Sequence, residues 1–304
     1  MARILITREL AGEAVERLRA THEVDVWTGS GSMPRAELLS RVADADALLC
    51  MLDDRVDVEV LAAAPRLKAI ANYAVGTDNI ELAGARAGGI AVGNTPDVLT
   101  DATADLAFAL LLAAARRLPA AEHSVYAGEW RTWEPKRWNG ADVWGATLGI
   151  VGLGRIGRAV ARRAEGFAMT VIATRATPLE ELLERSDFVS LHCPLTKETV
   201  HLIDERALRR MKPTAILVNT ARGAVVEQRA LGVALREGWI AGAAIDVTDP
   251  EPLPADDELL DAPNLIVLPH IGSATHSARA RMTELAVGNL LAALGGEPMP
   301  NAVA

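Results

Sequence analysis

Three polar residues that could do chemistry each follow a strongly apolar, strand-like segment. Arg222 ends such a segment in "LVNTARG" (217–223), Glu251 lies in the proline-framed loop "IDVTDPEPLP" (245–254), and His270 follows a proline in "IVLPHIGSAT" (266–275). Taken singly, each has a structural interpretation: an ion pair for Arg222, a turn cap for Glu251 and a core position for His270. Ligands of open α/β sheets bind outside the carboxyl ends of the strands, so three such residues at three strand ends favour a shared site.

An arginine, a glutamate and a histidine beside a nicotinamide ring are sufficient for reversible reduction of a carbonyl group. Arg222 would bind the carboxylate of a 2-oxo acid and polarise its carbonyl. His270 would donate a proton to the developing alkoxide, and Glu251 would hold the imidazole and favour its protonated form. The sequence therefore predicts an oxidoreductase that uses a dinucleotide.

A glycine-rich motif supports that prediction. "GIVGLGRIGRAV" (149–160) has the GxGxxG spacing at Gly152, Gly154 and Gly157, after a strand-like segment and before a helical one. The first glycine permits a tight turn, the second lets a pyrophosphate approach the backbone, and the third lets helix and strand pack closely. The phosphates would bind at the helix N-terminus.

The choice between NAD and NADP depends on the end of the next strand, "MTVIATRATP" (169–178). An acidic residue about 20 positions beyond the motif would accept the ribose 2′-hydroxyl, but Thr174 and Arg175 stand there and the first acid is Glu180. An arginine can pair with a 2′-phosphate that a carboxylate would repel. The sequence predicts a preference for NADP. The alternative is that Arg175 is solvated and stacks on adenine without distinguishing NAD from NADP.

The elements that must position these residues alternate along the whole chain. Apolar strand-like segments alternate with helical ones such as 11–20, 34–43 and 57–63, and a second α/β series begins at residue 146. This alternation is typical of parallel sheets. We expect two doubly wound Rossmann- or flavodoxin-like domains with a cleft between them: a substrate domain of residues 1–98 and 276–304, and an inserted dinucleotide domain of residues 99–275.

Between the two series lie an apolar helix and a tryptophan-rich arm. The helix, "TDATADLAFALLLAAARRL" (100–118), is apolar on most faces, which predicts burial between domains or subunits. The arm, "GEWRTWEPKRWNGADVWG" (128–145), contains four of the six tryptophans. It is interpreted either as a loop that packs on its own domain or as the rim of a subunit interface.

Composition excludes several classes of function. A net charge of −9 on 304 residues disfavours binding to nucleic acid or to anionic membranes, and no apolar segment has the length of a membrane span. Two cysteines in apolar strands suit reduced thiols of a cytoplasmic protein. The six histidines show no metal-binding spacing, so no metal is predicted.

Seven ordered motifs resemble those of the D-isomer-specific 2-hydroxyacid dehydrogenases, and within that family those of the glyoxylate and hydroxypyruvate reductases. The resemblance covers nearly the whole chain. The motifs are "NYAVGTDNIEL" (72–82), "GIAVGNTPDVLTDATADLAFALLLAAARRL" (89–118), "GIVGLGRIG" (149–157), "SDFVSLHCPLTKET" (186–199), "LVNTARGAVV" (217–226), "AIDVTDPEP" (244–252) and "LPHIGSAT" (268–275).

The resemblance implies the catalytic roles given above for Arg222, Glu251 and His270. It also implies that the backbone N–H groups of Val75 and Gly76 bind the substrate carboxylate, and that the protein is a homodimer. The predicted cofactor-binding residues are Thr103, Gly152, Gly154, Arg155, Ile156, Gly157, Thr174, Arg175, Cys193, Pro194, Thr199, Thr220, Ala221, Asp246 and Gly272.

Two departures from the family pattern bear on specificity. Only residues 176–186 separate the second and third strand-like segments of the dinucleotide domain, where relatives have a longer loop, a short strand and a helix. That is barely enough for a crossover. Arg137 stands where some reductases have an aromatic residue that reaches the partner's active site; its neighbour Trp138 could take that place, which leaves the size of the substrate open.

Two other functions stay open. The same chemistry could act on another 2-oxo acid, such as that related to 3-phosphoglycerate, with Arg55 and Lys136 binding the phosphate. Alternatively, the fold could serve a dinucleotide-sensing interaction protein like the corepressors related to this family. The second alternative predicts long terminal tails with partner motifs, and almost no chain remains beyond residue 298 to provide one.

Overall fold

The computed structural model describes residues 1–303, which form two compact units. Unit 1 comprises Met1–Leu99 and the chain from Ala274 on, and unit 2 comprises Thr100–Ser273. Unit 2 is thus inserted in the sequence of unit 1, and its ends lie within two residues of the predicted 99–275.

Unit 1 is built on a five-stranded sheet whose described pairs are all parallel, in the order β2-β1-β3-β4-β5. This is the doubly wound order in which the topological switch lies between β1 and β3. Its strands are β1 Arg3–Ile6, β2 Glu23–Val26, β3 Ala47–Cys50, β4 Ala69–Asn72 and β5 Ala91–Gly93. Its helices are α1 Val15–Arg19, α2 Arg35–Val42, α3 Val58–Ala63, α4 Leu82–Ala87 and the C-terminal helix α11 His276–Leu294.

Helix α11 returns to unit 1 and packs on β3, β4 and α1, as expected for an inserted second domain. Its N-terminus is capped by Thr275, whose hydroxyl accepts a hydrogen bond from the Ala278 N–H. The buried residues of α11 include the polar Thr283 and Asn289, and both bond to the first segment of the unit. The last segment of unit 1 is therefore fixed by polar contacts as well as by apolar packing.

Unit 2 contains a six-stranded sheet in the order β11-β10-β9-β8-β6-β7, again with parallel pairs. The switch point lies between β6 and β8, so ligands are expected beyond the carboxyl ends of these two strands. The strands are β6 Thr147–Val151, β7 Thr170–Ala173, β8 Phe188–Leu191, β9 Ile216–Asn219, β10 Gly242–Ile245 and β11 Leu265–Val267. The helices are α5 Thr100–Ala115, α6 Leu118–Tyr126, α7 Arg155–Glu165, α8 Leu179–Arg185, α9 Glu205–Arg210 and α10 Gln228–Glu237.

Both faces of the unit 2 sheet are covered by apolar layers. Along β9, Leu217 packs in one core cluster while its neighbours Ile216 and Val218 pack in the other. Alternate residues of a strand point to opposite faces, so a strand covered on both sides is apolar throughout. This explains why the strand-like segments of the second series show no polar alternation.

The predicted helix 100–118 consists of two helices. Helix α5 ends at Ala115, and Arg117 adopts a left-handed conformation with φ of 53° before α6 begins at Leu118. The chain therefore turns at Arg117, and α6 continues in a new direction. Within unit 2, α5 packs against α7, β9 and β10.

The short crossover at 176–186 is occupied by a helix of seven residues, α8. It packs on β6, where the backbone of Gly149 approaches Leu182 and Ser186 so closely that a Cβ at Gly149 would overlap them. The crossover thus spans from β7 to β8 without a further strand, which leaves β7 at the edge of the sheet.

Within residues 1–303, no helix is both long enough and apolar enough to cross a membrane. The same residues contain no group of three or more histidine, cysteine or acidic side chains that could hold a metal ion. Cys50 and Cys193 are both free thiols.

Candidate functional site

The side chains of His270 and Glu251 form a direct pair in unit 2. Glu251 Oε1 lies 2.8 Å from His270 Nδ1, and the two side chains are 30% and 20% exposed. Burial on this scale strengthens the attraction between a carboxylate and an imidazolium while leaving the pair within reach of a ligand. The remaining ring nitrogen, Nε2, faces away from the carboxylate and is the atom that could exchange a proton with a substrate.

The turn that carries His270 is clamped by a buried carboxylate. Asp246, directly after β10, accepts hydrogen bonds from the N–H groups of Ile271 at 2.7 Å and Gly272 at 2.8 Å, and its carbonyl accepts the His270 N–H. Thr103 of α5 donates to the Gly272 carbonyl at 3.1 Å. These bonds fix His270 in a left-handed conformation with φ of 55°, which is unfavourable for a residue with a Cβ.

Asp246 is 1% exposed. Burial raises the pKa of its carboxyl group, while its two N–H donors and the nearby His270 act in the opposite direction. Asp246 and Thr103 were both predicted to contact a cofactor; within unit 2 both bond to the turn that carries His270.

Arg222 lies in the loop after β9, the strand next to β10. Asn219 at the end of β9 donates from Nδ2 to the Arg222 carbonyl at 2.9 Å and accepts the Ala221 N–H at 3.0 Å, which fixes the backbone of the loop. The Arg222 guanidinium donates to the Ala221 carbonyl at 2.9 Å. β9, β10 and β11 are neighbours, so Arg222, Glu251 and His270 follow three consecutive strands at one edge of the sheet.

The glycine motif forms the turn between β6 and α7 at the switch point of unit 2. Gly152 has a φ of 94°, and a Cβ there would lie 2.5 Å from the backbone nitrogen of Cys193, so both conformation and space require glycine. A Cβ on Gly154, the residue before α7, would meet no described atom within 4 Å. The approach to this helix N-terminus is therefore open, as a pyrophosphate requires.

Other predicted cofactor residues surround this turn. Thr174, directly after β7, accepts the Gly152 N–H at 3.1 Å, and Arg175 is exposed beside it. After β8, the hydroxyl of Thr199 donates to the Pro194 carbonyl at 2.7 Å and closes a short loop, and burial raises the pKa of the Cys193 thiol. The remaining predicted positions lie in α7 or directly after β9: Arg155, Ile156, Gly157, Thr220 and Ala221.

His192 is a residue of this site that was not singled out from the sequence. Its Nε2 lies 2.8 Å from Ser190 Oγ and its Nδ1 lies 3.5 Å from Thr220 Oγ1, and its backbone abuts Gly152. Burial lowers the pKa of His192 to about 4, so the ring is neutral at physiological pH. The signal was available, because His192 directly follows β8 as Arg222 follows β9.

Val75 and Gly76 lie in unit 1, in the loop after β4. Both are partly exposed, and within residues 1–303 neither backbone N–H donates to a protein acceptor. Two N–H groups without protein partners can bind an anion such as a carboxylate.

In the tryptophan-rich arm, Trp138 is half-buried, with the guanidinium of Arg137 4.9 Å and that of Arg117 5.7 Å from its ring centre. Trp130, Trp133 and Trp144 are instead exposed. Most of the aromatic surface of the arm is therefore not buried in its own unit.

Comparison with known protein families gives one match that covers about half of the chain. Residues 108–272 match the family described as "D-isomer specific 2-hydroxyacid dehydrogenase, NAD binding domain". These residues include the glycine motif and all three of Arg222, Glu251 and His270.

Relatives are similar over nearly their whole length. The glyoxylate reductase of Korarchaeum cryptofilum is 50% identical over 316 positions, covering 99% of this chain and 95% of the relative. The glyoxylate reductase of Thermococcus onnurineus is 51% identical over 319 positions with the same coverage. Both alignments are longer than the 304 residues of this chain, so the relatives carry residues that it lacks.

Solved structures are also similar to this chain over nearly its whole length. The TT0316 protein of Thermus thermophilus has a TM-score of 0.94 at 50% identity, covering 99% of this chain and all of that one. An NADPH-dependent glyoxylate/hydroxypyruvate reductase of Sinorhizobium meliloti, in complex with NADP and malonate, has a TM-score of 0.87 at 33% identity, covering 100% and 97%. A D-lactate dehydrogenase of Aquifex aeolicus with NAD and lactic acid has a TM-score of 0.86 at 28% identity, covering 99% and 98%.

Proposed function

This chain belongs to the D-isomer-specific 2-hydroxyacid dehydrogenase family, and we propose that it reduces glyoxylate and hydroxypyruvate to the corresponding 2-hydroxy acids. The observation that carries the proposal is the Glu251–His270 pair beside the Arg222 loop, at the carboxyl edge of a dinucleotide-binding sheet. The preference for small acids is supported by glyoxylate reductases that are about half identical to this chain.

The residues present fit a nicotinamide dinucleotide. The open approach to Gly154 and the N-terminus of α7 would hold the pyrophosphate, with Thr174 and Arg175 beside the adenosine ribose. When bound, the cofactor supplies the hydride that reduces the carbonyl carbon.

The chain's own groups bind the substrate and move the proton. The Arg222 guanidinium of unit 2 pairs with the substrate carboxylate and polarises the carbonyl oxygen. In unit 1, the N–H groups of Val75 and Gly76 are donors suited to a carboxylate. His270 Nε2 donates its proton to the carbonyl oxygen as negative charge develops there. Glu251 accepts the Nδ1–H, which fixes the ring orientation and stabilises the imidazolium before the transfer.

Initial rates on glyoxylate, hydroxypyruvate, pyruvate and phosphohydroxypyruvate test the substrate class. We expect the highest kcat/KM on glyoxylate or hydroxypyruvate. Turnover of phosphohydroxypyruvate well above glyoxylate would reject this preference. Arg55, one of the two candidate phosphate ligands, is 83% exposed and paired with Asp57 at 3.4 Å, which gives that alternative little support.

The dinucleotide-sensing alternative is separated by His270→Ala. If the protein is an enzyme, the substitution should lower kcat greatly and leave the dissociation constant of the cofactor unchanged. If both the unaltered protein and the variant bind the cofactor tightly and show negligible turnover, a sensing role is favoured.

We propose NADP as the preferred cofactor because Arg175 is exposed at the end of β7 without an acidic residue beside it. Arg175→Asp should lower kcat/KM for NADPH by roughly 10- to 100-fold, the value of a lost charge-assisted bond, and raise the relative use of NADH. Arg236→Asp, an exposed arginine on α10, is the control for loss of positive charge. A tenfold preference of the unaltered protein for NADH would refute this assignment.

We also propose a cytoplasmic homodimer that associates through α6 and the arm. Tyr126 and Trp133 are 82% and 81% exposed, and Trp130, Trp144 and Leu118 are also exposed. Exposed aromatic patches of this kind mark protein interfaces. Trp130→Ser with Trp133→Ser should shift the mass in solution from two copies towards one. If the unaltered protein is a monomer in solution, the proposed dimer is wrong. The cytoplasmic location is supported by the free thiols of Cys50 and Cys193, which suit a reducing compartment.

A further inference from the structure

The loop proposed to bind the substrate carboxylate is held from behind by two buried asparagines of unit 1. Asn94, directly after β5, donates from Nδ2 to the Val75 carbonyl at 2.7 Å. Asn72, the last residue of β4, donates from Nδ2 to the Gly76 carbonyl, also at 2.7 Å. Asn94 is 9% exposed and Asn72 fully buried, so both bonds lie in surroundings where an unmade bond is costly.

We propose that Asn94 is a positioning residue that aims the Gly76 N–H at the substrate carboxylate; this rests on the function proposed above. The peptide bond between Val75 and Gly76 is trans, so its C=O and N–H point in opposite directions. Fixing the Val75 oxygen on Asn94 therefore fixes the direction of the Gly76 N–H, which has no acceptor within residues 1–303. Donation to the oxygen also polarises the peptide and strengthens the N–H as a donor.

Asn94 is itself fixed by the C-terminal part of unit 1. Its carbonyl accepts a hydrogen bond at 2.9 Å from Nδ2 of Asn289 in α11, and its N–H donates to the Asn301 carbonyl at 3.1 Å. Asn289 Oδ1 in turn accepts the Asn301 N–H at 3.0 Å. Gly93 permits this approach, because a Cβ there would lie 2.7 Å from Asn289 Nδ2.

The geometry requires an amide at residue 94. A carboxylate of the same size can only accept hydrogen bonds, and it would face the Val75 oxygen with a like partial charge. The Gly76 N–H would then lose its fixed direction. A serine would remove the contact because its hydroxyl is too short to reach the Val75 oxygen.

The test compares Asn94→Asp with Asn264→Asp, an exposed position directly before β11, as the control. Steady-state rates are measured on glyoxylate and on its uncharged methyl ester, with the same cofactor. We expect Asn94→Asp to lower kcat/KM for glyoxylate by roughly 10- to 100-fold more than for the ester, mainly through KM, with the cofactor KM unchanged. Asn264→Asp should leave the ratio between the two substrates unchanged.

The outcomes separate this inference from the proposed function. An equal loss on acid and ester, or a lower Tm with an unchanged ratio, would show a structural role only and overturn the inference. If Asn94→Asp does not fold, Asn94→Ser replaces it, and the ratio of kcat/KM on glyoxylate to kcat/KM on the ester is measured again. Asn289→Asp should lower this ratio too, by a smaller factor. An unaltered protein that reduces no 2-oxo acid would reject the proposed function, and the inference with it.

Discussion

Acidification should destabilise this protein through His192, the partly buried histidine next to the glycine turn. The folded state holds the ring neutral, since burial lowers the pKa of His192 from 6.5 to about 4. The unfolded chain takes up a proton near the ordinary value, so acid favours unfolding. The stabilisation is present above pH 6.5 and is lost as the pH falls towards 4.

The size of the effect follows from the two pKa values. One unit of difference between the folded and unfolded pKa corresponds to about 1.4 kcal/mol. Between pH 7 and pH 5, protonation of His192 in the unfolded chain lowers the free energy of unfolding by about 2 kcal/mol. This is an upper value, because the hydroxyls of Ser190 and Thr220 can reorient to accept from a protonated ring.

Urea unfolding at pH 7 and pH 5 measures this difference. His192→Gln removes the titrating group and retains an amide that can reach Ser190, so its free energy of unfolding should fall by about 2 kcal/mol less over the interval than that of the unaltered protein. His123→Gln, on the exposed surface of α6, should retain the unaltered slope. Equal slopes for His192→Gln and the unaltered protein would refute the reasoning.

Three further predictions concern the site in unit 2. His270→Ala should lower kcat by about 10²- to 10⁴-fold, the usual contribution of a general acid, while fluorescence titration shows unchanged cofactor affinity; a kcat within threefold of the unaltered value would contradict its role. Asp246→Asn exchanges an acceptor of the Ile271 and Gly272 N–H groups for a donor, and should lower both kcat and Tm, at a cost of about 1–3 kcal/mol in unfolding; an unchanged Tm would show that the clamp is dispensable. Thr174→Val removes the acceptor of the Gly152 N–H and should raise the cofactor KM by roughly 2- to 10-fold, with Thr177→Val as the matched control.

The proposed catalytic residues could be placed from the sequence because each follows an apolar strand. Parallel strands bring their carboxyl ends to one edge, so apolar segments that end in Arg222 and His270 were sufficient to place both there. The pairing of Glu251 with His270 was inferred from the chemistry that a histidine acid needs, since no spacing rule relates residues 19 positions apart in different loops. The two side chains lie 2.8 Å apart.

The positioning network could not be predicted in the same way. The carboxylate of Asp246 bonds to Ile271 and Gly272, and nothing in the local sequence specifies that tertiary contact. The end of α5 was also missed, because alanine and leucine continue the helical pattern up to Arg117 and the left-handed turn there has no glycine to mark it. The crossover 176–186 was recognised as short, but the seven-residue helix α8 within it was not singled out from the sequence.

The position of β7 at the edge of its sheet affects how copies of this protein can associate. One side of β7 pairs with β6, and no described strand covers the other. Exposed edges invite pairing between molecules, but β7 has only four residues, begins with the exposed Thr170 and is followed at once by Thr174 and the charged Arg175. Because β7 is short and is followed by the positively charged Arg175, it should not pair readily with the edge strand of another molecule. A larger aggregate built by strand addition should therefore be rare, which agrees with the dimer proposed above, in which side chains of α6 and the arm pack together.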